Sequence, residues 1–141
     1  MAKKPNKIER EFMRLEFKID PVAASRPKVS RYGVYYSKKY TAFRAEINRL
    51  ILSTKMNKTE DLNLRVTTSF TLPMPKSWKR GKRVERLGQY HNQKPDIDNL
   101  NKAIYDALSG HAWEDDCRIV STESTKVWGE EGLIIVEIEG L

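Results

Sequence analysis

The chain has 141 residues, 39% hydrophobic and 32% charged, with a formal net charge of +7 and a pI near 9.5. This length predicts one domain with room for a hydrophobic core. The sequence has no signal-peptide core and no apolar run long enough to span a bilayer, so we expect a cytoplasmic protein. The single cysteine, Cys117, excludes an intramolecular disulfide and fits a reducing compartment.

The charge is divided unevenly along the chain. Residues 1–95 contain 23 Lys and Arg against 8 Asp and Glu, a net charge of +15, whereas residues 96–141 contain 3 against 11, a net charge of −8. A positive surface attracts an anionic partner such as nucleic acid, and clustered carboxylates attract cations. The division indicates a protein that holds phosphates with one part and a metal with another. The alternative is a basic surface that is only solvated.

The first predicted elements are a flexible terminus, a strand and a basic loop. Residues 1–10 are polar and basic, and we expect them to fray. Residues 12–20 alternate between apolar and polar side chains, which predicts a half-buried strand. The loop after it mixes basic residues with tyrosines, which suits phosphate contact and base stacking. The alternative is a short hairpin that turns at Gly33 and packs its tyrosines. The candidate DNA-binding residues here are Arg26, Lys28 and Arg31.

A helix, a second strand and a basic segment come next. Residues 38–54 place apolar side chains at helical spacing after Ser37, a favourable N-cap, which predicts a helix with one face in the core. Residues 62–72 alternate and predict a strand. Residues 76–94 are predicted to form a basic loop, mobile until it binds an anion, and we expect His91 in it to be exposed. The candidate DNA-binding residues here are Lys76, Lys79, Arg80, Lys82, Arg83, Arg86 and Lys94.

Two acidic pairs then stand about fifteen residues apart in the sequence. A backbone extended through Asp96 and Asp98 would place both carboxylates on one face, and Asp115 and Asp116 form the second pair. Two charges about 4 Å apart repel by roughly 4 kcal/mol at an effective dielectric near 20. We therefore expect the acids to hold a hard divalent cation such as Mg²⁺. The alternative is an N-cap aspartate with solvated acids in a loop.

The pattern between the two acidic pairs is helical. Apolar side chains recur from Asn99 onward, and Gly110 is a natural end to the helix. Asp98 would lie at or near the N-cap, where free N–H groups favour negative charge. Lys102 would lie one turn further along the same face, and Asp106, one turn beyond, could pair with it. Lys102 could stabilise charge that develops on a phosphate during hydrolysis.

The last predicted elements are two strands, at residues 117–127 and 133–139, joined by a turn at 129–132. We expect them to form a C-terminal hairpin with Asp115 and Asp116 at the entry of its first strand. The predicted fold class is α+β. It is one small domain over residues 1–141, with a mixed or antiparallel sheet of about four strands and two main helices.

The motif K-P-D-I-D-N-L-N-K-A-I-Y-D-A-L-S-G, followed by W-E-D-D, resembles the signature of the RusA-type Holliday junction resolvases, a family often encoded by prophages. The resemblance is specific over residues 94–120 and extends more loosely to R-P-K…G-x-Y-Y and M-P-K-S-W. It implies a RusA-like homodimer that acts in DNA recombination and repair. Such a dimer binds four-way DNA junctions and nicks two opposed strands symmetrically, using Mg²⁺ or Mn²⁺.

The resemblance also implies roles for individual residues. The catalytic aspartates of the family, which bind the metal, match Asp96, Asp98 and Asp116, and its catalytic lysine matches Lys102. Asp115 is the alternative third acid, because the connection S-G-H-A-W is one residue shorter than in a known member. The implied partner is branched DNA at the nucleoid, with no membrane and no small-molecule cofactor.

Two other functions fit the sequence less closely. One is a non-catalytic basic DNA-binding module whose acidic residues are structural. The other is a nuclease that prefers other substrates, such as flaps, forks or RNA.

Overall fold

The computed structural model describes residues 10–141, and all but the last residue of the predicted flexible terminus lies outside this range. The described chain forms six strands and three α-helices. A short 3₁₀ turn at Asp116–Arg118 lies between the last helix and the fifth strand. In chain order the elements are β1 (Phe12–Phe17), β2 (Lys28–Ser30), β3 (Gly33–Tyr35), α1 (Lys38–Ser53), β4 (Leu64–Pro73), α2 (Arg80–Arg86), α3 (Ile97–Leu108), β5 (Ile119–Gly129) and β6 (Leu133–Gly140).

Four strands form one mixed sheet in the spatial order β1-β6-β4-β5. Strand β6 is antiparallel to both β1 and β4, whereas β4 and β5 are parallel. The predicted C-terminal hairpin is therefore wrong, because β4 lies between β5 and β6. Strand β4 buries every second side chain and gains most from a central place, whereas the more polar β5 is suited to an edge. Alternation within a strand does not encode its partners.

The helices α1 and α3 share one hydrophobic core with the sheet. The buried side chains of α1 are Tyr40, Phe43, Ile47 and Ile51, as its periodicity predicts. Ser37 caps this helix by accepting a hydrogen bond from the backbone N–H of Tyr40 at 3.2 Å, which confirms the predicted N-cap. The predicted α+β fold with two main helices and a four-stranded sheet is confirmed.

A polar network fixes α3 against the centre of the sheet. The hydroxyl of Thr68 on β4, fully buried, lies 2.7 Å from the Asn101 carbonyl and 2.7 Å from the Ser124 hydroxyl. The Asn101 amide in turn donates to Ser124 at 2.8 Å. These side chains join α3 to β4 and β5 and satisfy one another where water is excluded. The network therefore sets the position of α3 along the sheet.

Strands β2 and β3 form a separate two-stranded hairpin. Its chain turns at residues 31–32, just before Gly33, whose φ of 123° a side chain would oppose. All six strand residues are exposed, and Tyr32 at the tip is 86% exposed. The hairpin alternative is confirmed, but the tyrosines at Tyr32 and Tyr35 are exposed rather than packed.

The basic segment that follows β4 is partly helical rather than a loop, because α2 occupies Arg80–Arg86. The prediction that His91 is exposed is wrong, since its side chain is only 4% exposed. The His91 ring centroid lies 4.0 Å from Trp128 on β5, and Trp128 lies 4.7 Å from Trp78. The ring that buries His91 stands 37 positions later in the chain, so local sequence did not reveal it.

Some predicted boundaries are also corrected. Strand β1 ends at Phe17, earlier than predicted. Strand β4 begins at Leu64, so Leu62, which was assigned to the inward face, is exposed. Within residues 10–141, none of the helices combines the length and apolar character needed to cross a membrane.

Candidate active site

Helix α3 carries most of the predicted catalytic residues. It begins at Ile97, with Asp96 as an extended N-cap and Asp98 in the first turn. The prediction of extended backbone through Asp98 is therefore wrong, whereas Asp98 does lie near the N-cap, as predicted. Both aspartates favour an N-cap, and the earlier start leaves Asp98 where the helix dipole still favours its charge. The helix buries Leu100 and Ile104 and leaves Asp98 exposed.

Two lysines surround the acids at the start of α3. The ammonium group of Lys94 lies 3.0 and 3.2 Å from the two carboxylate oxygens of Asp96. Lys126 donates to the backbone carbonyls of Gln93 and Pro95, and its burial lowers the pKa of its amine. Asp96 and Asp98 line one open hollow together with both lysines. This end of the helix thus gathers two carboxylates, and one of them, Asp96, already binds an ammonium group.

Further along the same face, Lys102 donates to Asp106 at 3.4 Å. This contact confirms the predicted pairing of these two side chains, which stand one turn apart on α3. Both are largely exposed, so the pair adds little stability and the ammonium group can exchange partners. Asp98, Lys102 and Asp106 therefore form a charged row of alternating sign along the exposed face of the helix.

The second acidic pair lies at the 3₁₀ turn, and its two members differ. Asp115 caps the turn, because its carboxylate accepts the backbone N–H of Cys117 at 3.0 Å. This hydrogen bond lowers the pKa of Asp115. Partial burial raises the pKa of Asp116, and the neighbouring Asp115 and Asp106 raise it further, whereas Lys102 lowers it. Asp115 is thus engaged by the backbone, whereas the charges of Asp106 and Lys102 contribute to the pKa of Asp116.

The structure places the three predicted metal-binding aspartates in two groups. Asp96 and Asp98 lie at the start of α3, while Asp116 lies within the electrostatic influence of Lys102 and Asp106. The eight residues from Asp98 to Asp106 span about 12 Å of helix. Across residues 10–141, no three His, Cys, Asp or Glu side chains lie close enough to hold one metal ion together. The cage of Asp96, Asp98 and Asp116 stays a prediction.

The donor set at the start of α3 nevertheless fits a hard divalent cation. Mg²⁺ prefers one or two carboxylates and completes its coordination with water and substrate phosphate. Asp96 and Asp98 supply two carboxylates beside one open hollow. The ammonium group of Lys94 neutralises both carboxylate oxygens of Asp96 and lies where a metal cation bound to them would lie. These residues could therefore hold a metal once Lys94 turns away to a DNA phosphate.

The predicted DNA-binding side chains differ in exposure and in their contacts. Those of the hairpin region (Arg26, Lys28 and Arg31) and most of those at 76–86 (Lys76, Lys79, Arg80 and Lys82) are exposed. Lys82 and Arg86 lie 4.3 and 5.9 Å from the Trp78 ring centroid. Arg83 differs, because it donates to the Pro75 carbonyl at 2.9 Å and pairs with Glu130. Arg83 therefore fastens α2, and Arg86 also pairs with Glu85.

A cluster that sequence reasoning passed over lies beside Lys102. The Arg44 guanidinium lies 5.0 Å from the Tyr36 ring centroid and 5.7 Å from that of Tyr40. These three residues follow one another at intervals of four; Tyr40 and Arg44 lie on one face of α1, and Tyr36 stands just before its N-cap. That spacing was the available signal. The tyrosines of the loop were considered for base stacking, but the link from Tyr36 to Tyr40 and Arg44 was not recognised.

Comparison with known proteins also points to the site on α3. A search of the curated proteins finds no match. Residues 18–139 match the model of the family described as endodeoxyribonuclease RusA. This range includes α3, the 3₁₀ turn and the residues Asp96, Asp98, Lys102 and Asp116. The match spans most of the 141 residues and confirms the resemblance, so the chain belongs to the RusA family of endodeoxyribonucleases.

Proposed function

We propose that this protein is a metal-dependent endodeoxyribonuclease that resolves four-way DNA junctions by paired symmetric nicks during recombination and repair. The observation that carries the proposal is the charged face of α3, where Asp98 and Lys102 stand one turn apart beside Asp96. These residues lie in a chain with a net charge of +7 that belongs to the RusA family. Acids that hold a cation and bases that hold phosphate are the two parts such a reaction needs.

The proposed roles rest on the family match and, for Asp96, Asp98 and Lys102, also on their positions on α3. Asp96 and Asp98 would hold Mg²⁺, with Mn²⁺ as an alternative, and Asp116 would complete the site. When bound, such an ion lowers the pKa of water and neutralises charge on the scissile phosphate. Lys102 exchanges its exposed partner Asp106 for the phosphate and stabilises negative charge on the leaving oxygen. Asp116 is favoured over Asp115 as the third acid, since Asp115 already caps the 3₁₀ turn.

A homodimer fits this substrate. A four-way junction offers two equivalent strands, and a two-fold axis presents two identical sites to them. One site per protomer then accounts for nicks that are symmetric. The basic segments of both protomers would line the faces of the junction, since affinity for DNA depends mainly on Lys and Arg contacts to phosphate.

The proposal is tested with a synthetic four-way junction labelled on each strand, incubated with and without Mg²⁺. We expect paired nicks in opposed strands only with the metal. Asp98→Asn should lower cleavage by about a hundredfold or more, yet leave junction affinity within a few-fold. The matched control is Glu131→Gln, which makes the same carboxylate-to-amide change in the exposed loop before β6. If Asp98→Asn loses binding and cutting to the same extent, Asp98 serves folding instead.

A non-catalytic DNA-binding module is the second candidate function. The observations that favour it are the pairing of Asp96 with Lys94 and the capping role of Asp115. Titration with Mn²⁺, followed by electron paramagnetic resonance, separates the two candidates. A metal site gives saturable binding that Asp96→Asn weakens at least tenfold. Structural acids give weak binding that this substitution does not change.

The preference for a junction over other branched substrates is a separate question. Unlabelled flaps, forks and RNA duplexes can compete with the labelled junction at one fixed salt concentration, because salt changes all phosphate contacts together. A junction resolvase requires a large excess of each competitor before cleavage falls. Equal competition by flaps would assign the protein to a broader class of branched-DNA nucleases.

A further inference from the structure

A cleft of about 500 Å³ lies between α1 and α3, next to the charged row of α3. Its wall on the α3 side includes the small side chains Ala103 and Ala107, which leave room between the helices. Tyr36, Arg44 and Asp106 also line it. This volume is within the range of pockets that bind small molecules or cofactors. We call this feature the α1–α3 cleft.

The cleft contains a ring and a cation that are already arranged for stacking. Tyr36 meets Tyr40 edge-on, with ring centroids 5.4 Å apart. Arg44 lies 5.0 Å from the Tyr36 centroid and 5.7 Å from that of Tyr40. Tyr36 is 36% exposed, so part of its ring is accessible. Aromatic rings and guanidinium planes are the surfaces on which unpaired nucleobases stack.

The α1–α3 cleft continues into a second hollow that reaches the proposed catalytic lysine. This hollow shares Tyr36, Tyr40 and Asp106 with the cleft and adds Ser25, Asn99 and Lys102. The hydroxyl of Ser25 is buried and finds no hydrogen-bond partner in the described part of the chain. A buried polar group without a partner costs stability and calls for an explanation. A phosphate oxygen that accepts from this hydroxyl, beside Lys102, supplies one.

We propose that the α1–α3 cleft binds one unstacked nucleotide of the DNA strand. Its phosphate occupies the hollow formed by Ser25 and Lys102, and its base lies against Tyr36 and Arg44. The inference deepens the proposed function, because Lys102 would contact the nucleotide beside the bond that is cut. The Asp106 carboxylate can only accept hydrogen bonds. It can therefore accept from a base N–H, either an exocyclic amino group of adenine, cytosine or guanine or the N3–H of thymine.

Binding to the cleft can be measured without a junction or a metal. The full-length protein, labelled with ¹⁵N, is titrated with each deoxynucleoside 5′-monophosphate and with the matching nucleosides, and amide shifts are followed by NMR. We expect saturable shifts confined to α1, α3 and residues 24–27. Each monophosphate should bind more tightly than its nucleoside, because only the monophosphate can reach Ser25 and Lys102. Shifts that centre on α2, or no saturation, would overturn the proposal.

Substitutions separate the base from the phosphate. Tyr36→Leu should weaken nucleotide binding about tenfold, whereas Tyr36→Phe, which keeps the ring, should not. Tyr90→Leu is the matched control, because its side chain is 77% exposed and lies outside the cleft. Ser25→Ala should leave the melting temperature unchanged or higher, and should lower affinity for the monophosphate about tenfold but not affinity for the nucleoside. If Ser25→Ala lowers affinity for the monophosphate and for the nucleoside equally, the phosphate does not occupy this hollow.

The same variants show whether the cleft serves cleavage. A fluorescent adenine analogue is placed one nucleotide from the nick in a four-way junction, and its emission reports unstacking from its neighbours. We expect an emission change on binding that Tyr36→Leu abolishes and Tyr36→Phe retains. If the mononucleotides bind but the wild-type protein cuts no branched DNA, the proposed function fails and the cleft stands. If junctions are cut and Tyr36→Leu changes neither emission nor rate, the cleft proposal fails alone.

Discussion

The hairpin β2–β3 and the basic segment 76–86 have similar compositions but are held in different ways. Both combine Lys and Arg with aromatic side chains. The strand residues of the hairpin are all exposed, and Arg31 lies against the ring of its own neighbour Tyr32. The segment 76–86 is fastened to the sheet, because Trp78 packs on Trp128 and Arg83 binds the Pro75 carbonyl. Composition predicts contact with phosphate, but long-range contacts decide whether the contacting segment is rigid.

This difference has an energetic meaning. An isolated two-stranded hairpin is marginally stable in water, so we expect β2–β3 to be the less rigid of the two segments before DNA binds. The segment 76–86 is ordered by packing that already exists in the free protein. The hairpin would therefore pay an ordering cost on binding DNA that α2 does not pay. Three predictions test this contrast.

The largest expected effect is on the anchored segment. Trp128→Ala removes the ring between Trp78 and His91 and should lower the free energy of unfolding by about 3–5 kcal/mol. Tyr32→Ala makes the same kind of truncation on the hairpin tip and should change it by less than about 0.5 kcal/mol. Urea unfolding of both variants gives the two values. A large loss from Tyr32→Ala would show that the hairpin packs on the core after all.

A second prediction concerns the binding of junction DNA. Each phosphate contact contributes about 0.9 to the slope of log affinity against log salt. Replacing Arg26, Lys28 and Arg31 by Gln should lower the magnitude of that slope by up to the contribution of about three phosphate contacts. Replacing Lys79, Arg80 and Lys82 by Gln should have an effect of the same size. Fluorescence anisotropy at several salt concentrations measures it.

Arg83→Gln is the informative control for that measurement. Its guanidinium is held by Pro75 and Glu130, so this substitution should lower stability and leave the salt slope nearly unchanged. If a triple variant keeps the salt slope of the wild-type protein, the segment it alters does not contact DNA phosphates.

The smallest expected effect comes from His91, which belongs to the anchored region. Burial lowers the pKa of its imidazole, so the unfolded chain binds a proton more readily than the folded one. The sign follows from linkage: stability is present above the usual histidine pKa of about 6.5 and is lost as the pH falls below it. His91→Leu should therefore flatten the decline of the melting temperature between about pH 7 and pH 5. An equally steep decline in the variant would assign the acid sensitivity to other groups.

The sequence predicts those features of the molecule that depend on neighbours within one turn or one strand. Ser37 and the stripe from Tyr40 to Ile51 define α1, because capping and helical spacing are local properties. The pairing of Lys102 with Asp106 follows from their spacing of four residues. The same rule places Asp98 on that face, although the helix begins two residues earlier than predicted.

The features that were missed depend on residues far apart in the chain. The burial of His91 needs Trp128, and the order of the sheet needs strand β4 to be paired on both sides. The two carboxyl groups differ because a backbone hydrogen bond holds Asp115, whereas partial burial, Asp115 and then Asp106 raise the pKa of Asp116. Their identical side chains gave no sign of this difference. Only the family resemblance ranked Asp116 above Asp115.

The central position of β4 has a consequence for how the chain folds. Its side chains meet partners 56 residues later, as between Thr68 and Ser124, and β6 follows later still. During synthesis β4 therefore leaves the ribosome with both of its edges unpaired, and the sheet can close only after residues 133–140 have emerged. Pairings this distant close large loops before they gain any contact, so folding should be slow for a chain of this size. Until then the exposed edges of β4 are the part of the nascent chain most prone to aggregation.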